Sequence, residues 1–101
     1  MEKTIEIIYD VADIPGVNPH DDYSLSALDF RNEAMDFIEQ ALCKWMPDAE
    51  WSFAESGMGE VNFGFCVSDF DQAEAIIRSA VKDTKFEKIR QYQRIEFDDD
   101  D

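Results

Sequence analysis

The chain has 101 residues and a mass of 11.7 kDa, which is enough for one domain with a single modest core. Hydrophobic residues make up 45% of it and aromatic residues 13%, as in folded globular proteins, so the acidity does not imply disorder. Its 24 Asp and Glu against 9 Lys and Arg give a formal net charge of −15, which disfavours direct binding to DNA, RNA or anionic membranes and favours basic partners.

Metal sites and export signals are not expected. The chain offers only Cys43, Cys66 and His20 as soft ligands, without CxxC or HxxxH spacing, so we expect no structural zinc and no cofactor. We interpret both cysteines as small buried residues in a reducing compartment. The first ten residues lack an apolar segment after a basic start, and no run approaches 18 apolar residues, so we expect a cytoplasmic protein.

The first strand is predicted over residues 4–11, where apolar and polar residues alternate. Glu6 and Asp10 fall on its polar face. Residues 12–25 contain two prolines and no periodicity, which predicts a long loop. The residues on the apolar face of the strand are Ile5, Ile7, Tyr9 and Val11.

The first helix is predicted over residues 26–46. Ser26 followed by Asp29 resembles a weak capping box, and Pro47 is expected to stop the helix. Apolar residues recur at helical spacing and predict a stripe that faces the core. The stripe consists of Ala34, Phe37, Ile38, Ala41, Leu42 and Trp45.

A hairpin is predicted over two strands, residues 49–56 and 60–67. Gly57 and Gly59 lie between them, and glycine supplies the positive φ that hairpin turns require. A phosphate-binding loop would instead lead into a helix. Trp51 and Phe53 are expected on one side of the first strand, and Gly64, within the second, indicates a bulge or a close approach by a neighbour.

The second helix is predicted over residues 68–83, capped by Asp69 with Gln72 or by Asp71 with Glu74. Glu74 and Arg78 are expected to pair on its outer side. Its apolar stripe consists of Phe70, Ala73, Ile76, Ile77, Ala80 and Val81. A last strand follows over residues 88–97, and four aspartates, 98–101, form an acidic tail.

The predicted order is β-α-β-β-α-β, which is typical of an α+β ferredoxin-like domain with two helices on one face of a four-stranded antiparallel sheet. We expect one domain over residues 1–97. The first and last strands would then be neighbours. Arg90 and Arg94 are accordingly expected opposite Glu6 and Asp10 on the sheet face without helices.

Carboxylates recur along one side of the first helix at a spacing of three or four residues. With the two aspartates just before the helix they form a line that could imitate a nucleic-acid backbone, although an ordinary solvated helix face is the competing interpretation. The predicted partner-binding residues are Asp21, Asp22, Asp29, Glu33, Asp36 and Glu39.

No catalytic residues are predicted, because the acids occupy polar positions where solvent keeps them ionised rather than a cleft that separates their pKa values. An enzyme that uses His20 within the loop 12–25 is a weaker alternative. The segment GEVNFGFCVSDFDQAEAIIRSAV, residues 59–81, resembles a recurrent segment of small bacterial and phage proteins of unassigned function. That resemblance implies a bacterial or phage origin and no activity.

The sequence therefore favours a non-enzymatic acidic binding protein or inhibitor. Its expected partner is a basic protein, such as a nuclease or a nucleic-acid-binding protein, as in toxin-immunity pairs and phage inhibitors of host defence. The alternative is a small oligomeric or ligand-binding domain, including a homodimer, that uses the sheet face without helices.

Overall fold

The computed structural model describes residues 2–14, 25–57 and 59–97. It is an α+β fold with a four-stranded antiparallel sheet and two helices, in the predicted β-α-β-β-α-β order. Most of the loop 12–25, with His20, Asp21 and Asp22, and the tail 98–101 lie outside the described residues. The elements are β1 (Glu2–Asp10), a 3-10 turn (Val11–Asp13), α1 (Leu25–Trp45), β2 (Glu50–Gly57), β3 (Glu60–Val67), α2 (Phe70–Val81) and β4 (Gln91–Phe97).

The strands lie in the order β2-β3-β1-β4, and every neighbouring pair is antiparallel. The prediction that the first and last strands are neighbours is therefore confirmed. β2 and β3 form the predicted hairpin, and Gly57 and Gly59 have φ values of 142° and 80° at its end. Only glycine adopts such conformations at little cost, so the backbone explains both residues.

The core lies between one face of the sheet and both helices. Every second residue of β1 and β3 points into it, as the alternating pattern predicts. Both helices bury their stripes in the same cluster and so cover the same face, and we call the other face of the sheet the open face. The fully buried side chains include Ile5, Ile7, Tyr9, Val61, Phe63 and Phe65 of the strands, Ala34, Ile38 and Leu42 of α1, and Ala73 and Ile77 of α2.

The helix ends follow local chemistry. α2 begins after Asp69, whose carboxylate accepts a 2.9 Å hydrogen bond from the backbone N–H of Gln72, so the first of the two predicted caps is confirmed. α1 ends at Trp45, just before Pro47. It begins at Leu25, however, so Ser26 lies within its first turn and the predicted cap at Ser26 is wrong.

The predicted stripe of α1 is only partly buried. Ala34, Ile38 and Leu42 are in the core, but Phe37 is 36% exposed and Trp45 is 64% exposed. Phe37 lies at the edge of the core, where its ring contacts the ring of Phe86 at 5.0 Å. Ala27 and Phe30, absent from the predicted stripe, are buried instead.

A β-bulge changes the faces of β2. The register shifts between Trp51 and Phe53, so Trp51 lies opposite core residue Phe65 whereas Phe53 lies opposite Gly64 on the open face. The indole N–H of Trp51 accordingly donates to the Met35 sulfur of α1 at 2.9 Å. The prediction that the two aromatics share a side is wrong, because strict alternation does not survive an inserted residue.

Candidate partner-binding surface

The predicted carboxylates of α1 lie on the outer side of the helix. Asp29, Glu33 and Asp36 are exposed and Glu39 is half-buried, whereas the residues between them that enter the core belong to the opposite side. We call Asp29, Glu33, Asp36 and Glu39 the α1 carboxylate line. Asp21 and Asp22 lie outside the described residues, so the structure does not place them on this surface.

Two members of the line already have partners within the chain. Glu33 accepts from the ammonium of Lys85 at 2.5 Å, and Asp36 accepts from the side-chain amide of Gln40 at 3.1 Å. In the described part of the chain, no Lys or Arg pairs with Asp29, Asp36 or Glu39. Lys85 thus neutralises Glu33, whereas the charges of Asp29, Asp36 and Glu39 are not balanced by a Lys or Arg of the described residues.

The basic residues are gathered elsewhere. Six of the nine Lys and Arg lie between residues 78 and 94, in α2, β4 and the chain between them. Arg78 pairs with Glu74 at 2.9 Å on the outer side of α2, as predicted. Because most of the cations are gathered in this part of the chain, the rest of the chain is more acidic than the overall net charge of −15 suggests.

The arginines of the last strand do not lie where the sequence predicted. Arg94 is opposite Ile5 and therefore on the helix-facing side, where it donates to Asp71 at 2.8 Å and lies over the ring of Phe70. The hydrogen bond to Asp71 raises the pKa of its guanidinium. Arg90 precedes β4 and pairs with Glu60. The predicted pairing of these arginines with Glu6 and Asp10 is wrong, because the register places Arg94 opposite Ile5 and Gln93 opposite Glu6, and Arg90 lies before the strand begins.

The open face has its own polar cluster, which the sequence did not predict. Glu6 in β1 is only 8% exposed, although no helix covers this face. Its carboxylate accepts a hydrogen bond from the side-chain amide of Asn62 in β3. The only sign of this arrangement in the sequence is Gly64 within β3, because a glycine in a strand marks a place where something approaches closely.

A shallow groove of about 350 Å³ lies between the two helices. Its walls are formed by small and apolar side chains, and Trp45 stands at one end. Sequence periodicity assigned Ala41, Trp45, Ile76 and Ala80 to the core, so the groove was not predicted. The residues that line it are Ala41, Trp45, Gln72, Ala75, Ile76, Ser79 and Ala80.

The cysteines differ in their surroundings. Cys66 is half-buried on the open face, but Cys43 is exposed on α1, so the prediction of two buried cysteines is wrong for Cys43. The thiol of Cys43 faces the carbonyl of Ala49 at 3.7 Å. Among the described residues, no three His, Cys, Asp or Glu side chains come together in a way that could hold a metal ion.

Neither helix in the described part of the chain has the length and apolarity needed to cross a membrane. Comparisons with protein-family models, with curated proteins and with solved structures gave no significant match.

Proposed function

We propose that this protein is a non-enzymatic acidic binding protein that docks the α1 carboxylate line on a basic protein partner. The partner class that fits best is a nuclease or another nucleic-acid-handling protein, whose groove is lined by cations that normally contact phosphates. Toxin-immunity proteins and phage inhibitors of host defence act in this way. We place the protein in the cytoplasm, with a ferredoxin-like arrangement of its elements.

One observation supports this proposal above the others. Asp29, Asp36 and Glu39 lie on the outer side of a single helix, and no Lys or Arg pairs with them within the described residues. Helical neighbours three or four residues apart lie about 5–6 Å from each other, so Asp29, Glu33, Asp36 and Glu39 together form a regularly spaced row of carboxylates, as phosphates do along a nucleic-acid strand. A groove built for a polyanion would therefore meet a rigid row of negative charges.

The chain tolerates this row at a small cost. Like charges at helical spacing destabilise a helix by about 0.2–0.5 kcal/mol per pair. Burial of Ala34, Ile38 and Leu42 on the other side of α1 far exceeds that cost, at about 1.5–3 kcal/mol for each large side chain. The core can thus stabilise a helix whose outer side is available for binding.

The test begins with partner capture from bacterial cell extract at low and high salt. Association kinetics are then measured with the captured partner for the wild-type protein and for a variant with Asp29→Lys, Glu33→Lys and Asp36→Lys. Electrostatic steering dominates association between oppositely charged surfaces, so we expect the variant to associate at least about tenfold more slowly at low salt.

A matched control keeps the total charge change equal. Asp13→Lys, Asp48→Lys and Glu96→Lys reverse three exposed carboxylates outside α1. We expect this control to associate nearly as fast as the wild-type protein. Equal slowing of both variants would attribute the binding to net charge alone, and an unchanged rate for the α1 variant would reject this surface.

A further inference from the structure

The open face presents its side chains in cross-strand rows, because residues directly opposite each other in neighbouring strands point to the same side. The register gives a central row of Phe53, Gly64, Glu6 and Gln93, one from each strand. A second row, of Glu55, Asn62, Ile8 and Gln91, lies beside it.

Glu6, in the central row, is a buried carboxylate without a cation. The residue is 8% exposed and its carboxylate accepts a hydrogen bond from Asn62, but no Lys or Arg in the described part of the chain pairs with it. Carboxylates that are removed from water are normally paired with a cation, since a single neutral hydrogen bond only partly offsets the lost hydration. The open face therefore holds a carboxylate whose charge no cation of the described residues balances.

Phe53, in the same row, supplies an aromatic surface next to that carboxylate. A Cβ atom placed on Gly64 would lie 2.4 Å from Cε1 of Phe53, so the ring lies directly over the backbone of β3. Gly64 is also the register partner of Glu6. The absence of a side chain at Gly64 thus lets the ring occupy the position next to the carboxylate.

The face lacks positive charge of its own. By register, none of the described side chains that β1, β2, β3 and β4 direct to the open face is Lys or Arg. Glu50 and Glu55 are exposed on the same face, and Arg90, which precedes β4, is engaged with Glu60. A second copy of this chain would bring the same carboxylates against themselves, so charge complementarity selects a cationic partner over a homodimer.

We propose that the open face is a binding site for an arginine side chain of a basic protein partner. The guanidinium would donate hydrogen bonds to the Glu6 carboxylate while its plane stacks on the ring of Phe53, with Glu55 adding a second negative charge at the edge. Arginine fits better than lysine, because a planar guanidinium can stack and donate at the same time whereas an ammonium is a point charge that is held by water.

This site goes beyond the proposed function. It lies on the side of the sheet away from the helices, whereas the α1 carboxylate line lies on the outer side of the helix layer. A single flat partner surface cannot touch both. Each site can therefore fail without the other, and the experiments use different variants.

The test is a titration monitored by NMR spectra of the backbone amides, with N-acetyl-arginine-N-methylamide as the probe and the corresponding lysine compound as the comparison. We expect the arginine compound to shift the amides of Phe53, Glu6 and Gly64. We expect Glu6→Gln and Phe53→Leu to weaken its binding by about tenfold and several-fold respectively, as is typical for loss of a charged hydrogen bond and of a cation–π contact.

Glu96→Gln is the matched control, because it removes an equal charge from the same sheet at an exposed residue opposite Lys3, on the helix-facing side. We expect it to bind the arginine compound like the wild-type protein. Because Glu6 is buried, Glu6→Gln can also destabilise the fold. In that case the proposal is tested by the affinity of Phe53→Leu for the arginine compound and by the affinity of the wild-type protein for the lysine compound. Equal binding of the arginine and lysine compounds, shifts elsewhere than the open face, or full affinity in Phe53→Leu would overturn the proposal.

Discussion

Tyr9 links β1 to the chain that follows α2. Its hydroxyl donates a 2.7 Å hydrogen bond to the backbone carbonyl of Phe86, and its ring meets the ring of Phe30 edge to face at 5.1 Å. Buried tyrosines normally satisfy their hydroxyl in this way. The alternation of β1 predicted that Tyr9 is buried, but a carbonyl 77 residues away could not be identified from it.

We expect Tyr9→Phe to lower the free energy of unfolding at neutral pH by about 1–2 kcal/mol, because the carbonyl of Phe86 loses its buried donor. Burial raises the pKa of Tyr9, so the folded protein retains a proton that the unfolded chain releases above about pH 10. The contribution of Tyr9 is therefore complete below about pH 10. It falls as the pH rises further, by up to about 1.4 kcal/mol per pH unit.

Urea unfolding of both proteins at neutral pH and at about pH 11 measures this effect. Tyr92, whose pKa is also raised by burial, is present in both proteins. We expect the advantage of the wild-type protein to shrink at the higher pH. A difference that is the same at both pH values would show that Tyr9 ionises equally easily in the folded and unfolded chains.

The pairing of β2 with β3 depends on a bulge and a glycine that face each other. The extra residue between Trp51 and Phe53 turns Phe53 onto the open face, and Gly64 leaves room for its ring. A large aromatic over a strand glycine replaces the side-chain contacts that the glycine lacks. Composition and alternation identify these residues as strand formers, but only the register brings them together.

We expect Gly64→Ala to lower the free energy of unfolding by about 1–3 kcal/mol, because the new Cβ atom would lie 2.4 Å from the Phe53 ring and displace it. In a Phe53→Ala background the same change should be neutral or slightly stabilising, since alanine restricts the unfolded chain more than glycine does. A double-mutant cycle with urea unfolding measures the coupling between the two sites. Equal costs of Gly64→Ala in both backgrounds would contradict the contact.

At the scale of the whole molecule, the charge of −15 opposes compaction. The ion pairs that offset it are exposed side-chain pairs such as Lys85 with Glu33 and Arg78 with Glu74. Pairs of this kind contribute about 0–1 kcal/mol each. The hydrophobic core between the sheet and the helices therefore holds the fold together against its own charge.

We expect added sodium chloride, from about 10 mM to about 500 mM, to stabilise the protein, because it screens repulsion among many carboxylates more than it weakens a few ion pairs. A gain of about 1 kcal/mol would raise the Tm by about 4–8 °C. Replacing Asp29, Asp36 and Glu39 by Asn, Asn and Gln should stabilise the protein at low salt and reduce its salt response. Destabilisation by salt would show that the ion pairs, and not the repulsion, dominate.

The sequence by itself determined the order of the elements, the hairpin at Gly57 and Gly59 and the outer position of the α1 carboxylates, and it limited the cap of α2 to two alternatives. Each of these follows from neighbours within a few residues, through hydrophobic periodicity, turn conformation or a local hydrogen bond. The acidic surface proposed for partner binding could be found for the same reason, since one helix alone presents it.

Only the tertiary structure decided which strand residues face which side and what they meet. The bulge put Trp51 and Phe53 on opposite faces of β2, the register of β4 with β1 put Arg94 on the helix-facing side, and Trp45 was left outside the core. Register is fixed by the packing of the whole sheet, and a shift of one residue moves a side chain to the opposite face. The juxtaposition of Glu6, Gly64 and Phe53 therefore exists only once three strands from different parts of the chain are paired.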